Sequence, residues 1–225
     1  MSALSGSSEH TVAIYHIEGR RSFRVIWLCE ELQIPYELIF TPGDLMASMS
    51  RLRKDHPLMP IVPTVRYEGQ FVVESGAILD VLATRFGKGR LLPDSGSPDY
   101  LRHAQWMHFA EATALARMSA ARHASLLIQR EVDELPPGYR ASAAPTTIDP
   151  RDPLAFFAFT VGPLGIFDFI EDYLSRHPYF GGSAFSAADV MMQFSIRGAK
   201  LLVGIDPDDY PNIRRWKAEV ESRPA

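Results

Sequence analysis

From Thr11 to Ile17 the chain reads TVAIYHI, a nearly unbroken apolar run that predicts a buried strand. After the turn Glu18-Gly19-Arg20-Arg21, the residues Val25, Leu28, Cys29 and Leu32 recur at helical spacing, which predicts a helix over Ser22–Gln33. Tyr36–Thr41 (YELIFT) predicts a second strand, stopped by Pro42-Gly43. Residues 44–55 predict a short helix with Met and Ser mixed through it. Two β-branched runs then flank Glu68-Gly69 and predict a hairpin. Leu79, Leu82, Ala83 and Phe86 share one face of a helix that begins at Glu74-Ser75. The order is β-α-β-α-β-β-α. Strands joined through a helix should be parallel, and the last two antiparallel.

The pattern then changes. Residues 88–98 are rich in Gly, Pro and Ser and predict a linker between a first domain over residues 10–87 and a second over 99–225. No strand pattern follows, so the second domain is expected to be all helical. Residues 99–131 form one long helical pattern, and 133–153 carry five prolines and predict an excursion loop. Pro163 suits the first turn of a helix bearing Ile166, Ile170 and Leu174 toward Arg176. Phe185-Ser186-Ala187-Ala188-Asp189-Val190 spells a capping box, with Phe185 placed to staple against Val190.

Composition narrows the function class. With 46% hydrophobic and 22% charged residues, the 225-residue chain suits a soluble globular protein with a real core. A formal charge of −4 argues against a nucleic-acid partner. No apolar run is long enough to span a membrane. The polar start MSALSGSS is a tail rather than a signal peptide, so a cytoplasmic location is expected. The single cysteine, Cys29, falls on the apolar stripe of the first helix and is a core residue. His103, His108, Glu111 and His123 include no His-Glu-x-x-His spacing, so no metal is expected.

The candidate chemistry lies in two pairs. Val62-Pro63 opens the first hairpin strand, where X-Pro is the one inexpensive cis bond. Glu74-Ser75 puts an acid and a hydroxyl beside the free N–H groups at a helix start. Together they present backbone edges and donors to a small peptide-like ligand that bears both an amine and a carboxylate. Two helix-capping residues would explain Glu74-Ser75 equally, though not the Val62-Pro63 that precedes them.

With these pairs in place, the chain resembles the glutathione transferase family over nearly its whole length, bacterial and fungal members in particular. The capping box at Ser186 and the phrase Trp106-Met-His-Phe-Ala-Glu111 also resemble that family. The resemblance implies a thioredoxin-like N-terminal domain, a helical-bundle C-terminal domain and glutathione as co-substrate. Val62, Pro63, Glu74 and Ser75 would hold the glutathione, Val62 by its backbone and Pro63 through a cis peptide. It also implies a homodimer and a detoxifying enzyme that activates the glutathione thiol for attack on a small apolar electrophile. A glutathione-binding module without turnover is the alternative, kept open by two departures. Where many members have a thiol-activating Ser, four residues before Arg24, this chain has Arg20, and no terminal segment is expected over the site. Ser22 is the nearest hydroxyl and reads either as thiol donor or as helix cap. Arg20 reads either as a thiolate-stabilising charge or as a solvated loop residue. Tyr15, on the first strand, is a third candidate.

Overall fold

The computed structural model describes residues 12–134 and 163–225, with side chains described through residue 126 in the first of these segments. The polar N-terminal tail, the proline-rich loop over 133–153 and Tyr139 within it lie outside the described residues, apart from 133 and 134, which end a helix.

Four strands form one mixed sheet: β1 (Val12–Tyr15), β2 (Tyr36–Ile39), β3 (Thr64–Tyr67) and β4 (Gln70–Val73), in the order β2-β1-β3-β4. The helix α1 (Ser22–Leu32) carries the chain from β1 to β2, and these pair in parallel with Val12 opposite Tyr36. β3 runs antiparallel to β1 with Ile14 opposite Val65, and β4 antiparallel to β3. Glu68 and Gly69 turn that hairpin at φ of 50° and 74°. Two positive φ values in a two-residue loop match the right-handed twist of the flanking strands. Between β2 and β3 lies α2 (Leu45–Asp55), whose start is capped by Asp44 accepting from the Ala47 N–H at 2.8 Å. After β4 comes α3 (Ser75–Phe86), which packs with α1.

The remainder is helical. α4 (Pro98–Phe109) runs into a π-helical segment, Ala110–Leu115, and on into α5 (Ala116–Glu134). The long helix predicted over 99–131 is therefore present with a local change of winding in its middle. α6 (Pro163–Arg176), α7 (Ala187–Val203) and α8 (Pro211–Glu221) complete the described residues. Pro163 is the first described residue of α6, and Ser186 with Asp189 does form the predicted capping box. Asp189 lies fully buried, accepting from the Phe180 N–H and the Trp216 Nε1–H, each at 2.8 Å. Trp106 is also fully buried, its ring 4.7 Å from that of Phe180 and 4.8 Å from that of Tyr173. Cys29 is buried in the core beside Leu28 and Leu32, and burial pushes its thiol up to about 12.

One buried cation joins the sheet-bearing half to the helical half. Arg24, on α1, is 0% exposed. Its Nη1 donates to Ser75 Oγ at 2.9 Å and to the Glu111 carboxylate, and its Nη2 to the Met191 carbonyl at 2.7 Å and to Ser195 Oγ at 3.2 Å. Ser195 Oγ passes its own proton to the Ala110 carbonyl at 3.0 Å, inside the π-helical segment. One guanidinium thus fastens the starts of α3 and of the π segment, and the middle of α7, to the first helix. A planar fork of donors can reach three other elements at once.

Two expectations follow. Arg24→Met removes the fork, leaves Ser75 and the Met191 carbonyl without their Arg24 donor and leaves Glu111 with Arg21 alone, which should cost about 3 kcal/mol in urea unfolding. A loss below about 0.5 kcal/mol would mean the network contributes only specificity. The second concerns His103, 2% exposed and paired through Nδ1 with Ser186 Oγ at 3.1 Å. Burial lowers its pKa to about 4. The folded protein therefore favours the neutral ring, and this contribution is complete above the ordinary pKa of 6.5 and is lost as the pH falls toward 4. Asp189, raised to about 6 by burial, acts in the opposite direction over much of that window. Replacing His103 with Gln should therefore make the melting temperature rise, relative to wild type, as the pH drops from 6.5 to 4.5. Parallel wild-type and variant curves would exclude the linkage.

Candidate active site

The cis peptide expected at Val62-Pro63 is present. It delivers Val62 to the wall of a hollow whose other lining residues are Arg21, Ile61, Pro63, Glu74, Ser75 and Glu111. All four residues named for ligand binding from the sequence therefore meet in one place. Among the described residues, no group pairs with the main-chain N–H or C=O of Val62. A free backbone edge beside the sheet is what an extended peptide needs in order to add itself by main-chain hydrogen bonds.

Glu74 is the N-cap residue of α3, yet its side chain makes no capping bond. Its backbone sits at φ 71° and ψ 108°, in a region L-residues rarely adopt. That conformation turns the exposed carboxylate into the hollow instead of over its own helix. Ser75 follows at the first helical position, buried, with its Oγ accepting from Arg24. A hydroxyl has one proton and accepts through its lone pairs, so an Oγ already accepting from a cation keeps its proton for a ligand. Neither residue of the pair is spent as a helix cap.

The opposite wall comes from the first helix. The N-cap of α1 is Arg21, without a side-chain capping bond. Arg21 Nε donates to both carboxylate oxygens of Glu111, at 2.9 and 3.1 Å. Glu111 lies in the first turn of the π-helical segment. A widened turn of this kind recurs at functional sites because it re-aims a side chain that regular winding would point elsewhere. Here it brings one carboxylate, 29% exposed, onto two guanidiniums, those of Arg21 and Arg24. The starts of α1 and α3 converge on the hollow, and helix starts favour negative charge.

The three side chains that the sequence offered as thiol activators sit elsewhere. Ser22 is fully buried, its Oγ 2.9 Å from His16 Nδ1 and 3.3 Å from both the N–H and the C=O of Ile17. It closes the turn between β1 and α1 and is not that helix's cap, which corrects the capping expectation. Arg20 is exposed and lines a separate hollow with Glu18, Phe40 and Asp44. Tyr15 donates its hydroxyl proton to Asp55 at 2.8 Å, and burial with that bond pushes its pKa up to about 12. The residues that sequence reasoning missed are Arg21, adjacent to two residues it weighed, and the role of Glu111. Their signal was thin, because their meeting spans 90 positions.

A larger cleft of about 680 Å³ adjoins the first, sharing Glu74 and Glu111 with it. It lies between α3 and α4, lined by Asp80, Tyr100, His103, Met107 and Met191 among others. Among the described residues, no group of three or more His, Cys, Asp or Glu is arranged to hold a metal ion.

Comparisons with known proteins agree with one another. The family model described as Glutathione S-transferase, N-terminal domain, matches residues 21–85, and that described as Glutathione S-transferase, C-terminal domain, matches residues 164–224. Together they take in more than half of the chain. Glutathione S-transferase 3 of Schizosaccharomyces pombe is 27% identical over 217 residues, covering 95% of this chain and 84% of that protein. Glutathione S-transferase GstB of Escherichia coli is 26% identical over 205 residues, covering 90% and 88%. Among solved structures, Glutathione Transferase E6 from Drosophila melanogaster aligns with a TM-score of 0.67 at 21% identity, covering 95% of this chain and 88% of that one. A glutathione S-transferase from Actinobacillus pleuropneumoniae gives 0.66 at 22%, with the same coverage.

The geometry of Glu74 yields its own test. Replacing it with Gly relieves the positive φ and should raise stability by about 1 kcal/mol over the Ala variant in urea unfolding. A Gly variant no more stable than the Ala one would mean that the backbone conformation carries no cost.

Proposed function

The chain belongs to the glutathione S-transferase family and is a glutathione transferase, and we propose that it activates the glutathione thiol at the Arg21–Val62–Glu74 hollow for attack on a small apolar electrophile. The observation that carries this reading is the convergence of a free Val62 backbone edge with Glu74 and Ser75, neither of them used as a cap. Glutathione is a peptide with an ammonium group, two carboxylates and a thiol. Its cysteinyl backbone would pair with the N–H and C=O of Val62. Its amine would meet the Glu74 carboxylate, and a carboxylate the Ser75 hydroxyl and the start of α3. Each contact joins a charged ligand group to a directed partner, the stronger class of hydrogen bond.

The reaction needs a thiolate, because the thiol itself is a poor nucleophile. Sulfur would form its bond to the electrophilic carbon as the leaving group departs. We propose a cytoplasmic, detoxifying role. We also propose that two copies pair through α3 and α4, where Val81, Tyr100 and Leu101 are exposed and where the larger cleft opens.

The protein should be retained on immobilised glutathione and eluted by free glutathione. Glu74→Ala should weaken glutathione binding by about 1.5 kcal/mol or more, the range for hydrogen bonds to charged groups. An unchanged dissociation constant in calorimetry would remove Glu74 from the site. Sedimentation at micromolar concentration should report twice 25.2 kDa; a particle of the single-chain mass would reject the pairing.

A further inference from the structure

Resting on the transferase reading above, we propose that Arg21 is the group that holds the glutathione sulfur as its thiolate. The side chains with ordinary claims to that task are engaged elsewhere. Ser22 Oγ is buried among His16 and Ile17, Tyr15 is tied to Asp55, and Arg20 faces another hollow. Among the residues lining the Val62 hollow, Arg21 is the one cation.

Its geometry suits the work. Glu111 grips Arg21 only through Nε, so both terminal nitrogens keep their N–H groups without a partner among the described residues. The grip is itself held, since Arg24 anchors Glu111 from inside the protein. The Arg21 guanidinium also lies 5.9 Å from the centre of the Phe194 ring. A long side chain that is 40% exposed is thereby kept across the hollow instead of waving in solvent. The charge balance also favours an anion. Two guanidiniums on one carboxylate leave a net positive charge, and Arg21 sits at the start of α1, where the helix dipole adds to it. Glu74, the other carboxylate, faces the ligand's ammonium in the proposed pose.

Arg21 takes no proton at any stage. A guanidinium stays charged throughout, so the thiol proton leaves to water and the anion left behind is stabilised by charge and by N–H donors. An opposite charge within about 4–6 Å lowers an acid's pKa by about one to three units.

The test compares Arg21→Gln and Arg21→Lys with wild type, by titrating the ultraviolet absorbance of the bound thiolate and by measuring affinity for S-methylglutathione, which has no ionisable sulfur. Arg21 is partly exposed and outside the core, so both variants should fold. In Arg21→Gln the bound thiol's pKa should rise by about one to three units, with Lys restoring part of it. Turnover at neutral pH should fall about tenfold per unit while saturating rates at high pH recover. Affinity for S-methylglutathione should stay within about twofold, less than the 1.4 kcal/mol of a tenfold change. An unmoved thiol pKa overturns the assignment, and so does a large loss of S-methylglutathione affinity without a pKa change, which would make Arg21 a carboxylate clamp. Failure of wild type to bind S-methylglutathione would instead overturn the transferase reading, and the assignment with it.

Discussion

Arg24 is the constraint on which the site depends. A guanidinium without solvent contact is costly unless its donors are met, and here the two terminal nitrogens make four bonds to groups from three other parts of the chain, while Nε has no partner among the described residues. The same bonds set the relation of the two halves. Ser75 belongs to the start of α3, Glu111 to the π-helical segment, and Met191 and Ser195 to α7. Because Ser75 and Glu111 also line the hollow, the bond that joins the halves also forms the two walls of the site.

The local departures from regular geometry fall where the site is. Glu74 holds a positive φ, the Val62-Pro63 peptide is cis, and the helix after Phe109 widens into a π segment. A positive φ at a non-glycine residue such as Glu74 persists where surrounding structure over-determines it. Around Glu74 that structure is the hairpin before it, the anchored Ser75 after it and the packing of α3 on α1.

Much of this was legible in the chain. The alternation of apolar runs placed the strands and the hairpin turn, and the Ser186–Asp189 box placed the start of α7. Val62, Pro63, Glu74 and Ser75 were legible because they lie within one local unit, where spacing and turn chemistry act over a few residues. The pairing of Arg21 with Glu111 was not, because an ion pair across 90 positions leaves no periodic trace. Arg24 has the same difficulty. On a helical wheel it stands next to apolar Trp27 and Leu28, and only partners 51 to 171 residues away explain why a cation can be buried there. The cap reading of Ser22, one of the two that the sequence left open, fails for a related reason. A serine at a helix start favours capping, but Ser22 is the first helical residue, Arg21 takes the cap position, and the Ser22 hydroxyl turns inward to Ile17.

The central claim is that glutathione seats its backbone on Val62 while the starts of α1 and α3 face it. Amide hydrogen exchange with and without glutathione tests that most directly, because Val62 has an N–H without a partner among the described residues. The account predicts that glutathione slows exchange at Val62 and at the first turns of α1 and α3, and leaves the edge strand β2 unchanged. Saturating glutathione that leaves the Val62 amide exchanging at its free rate would contradict it.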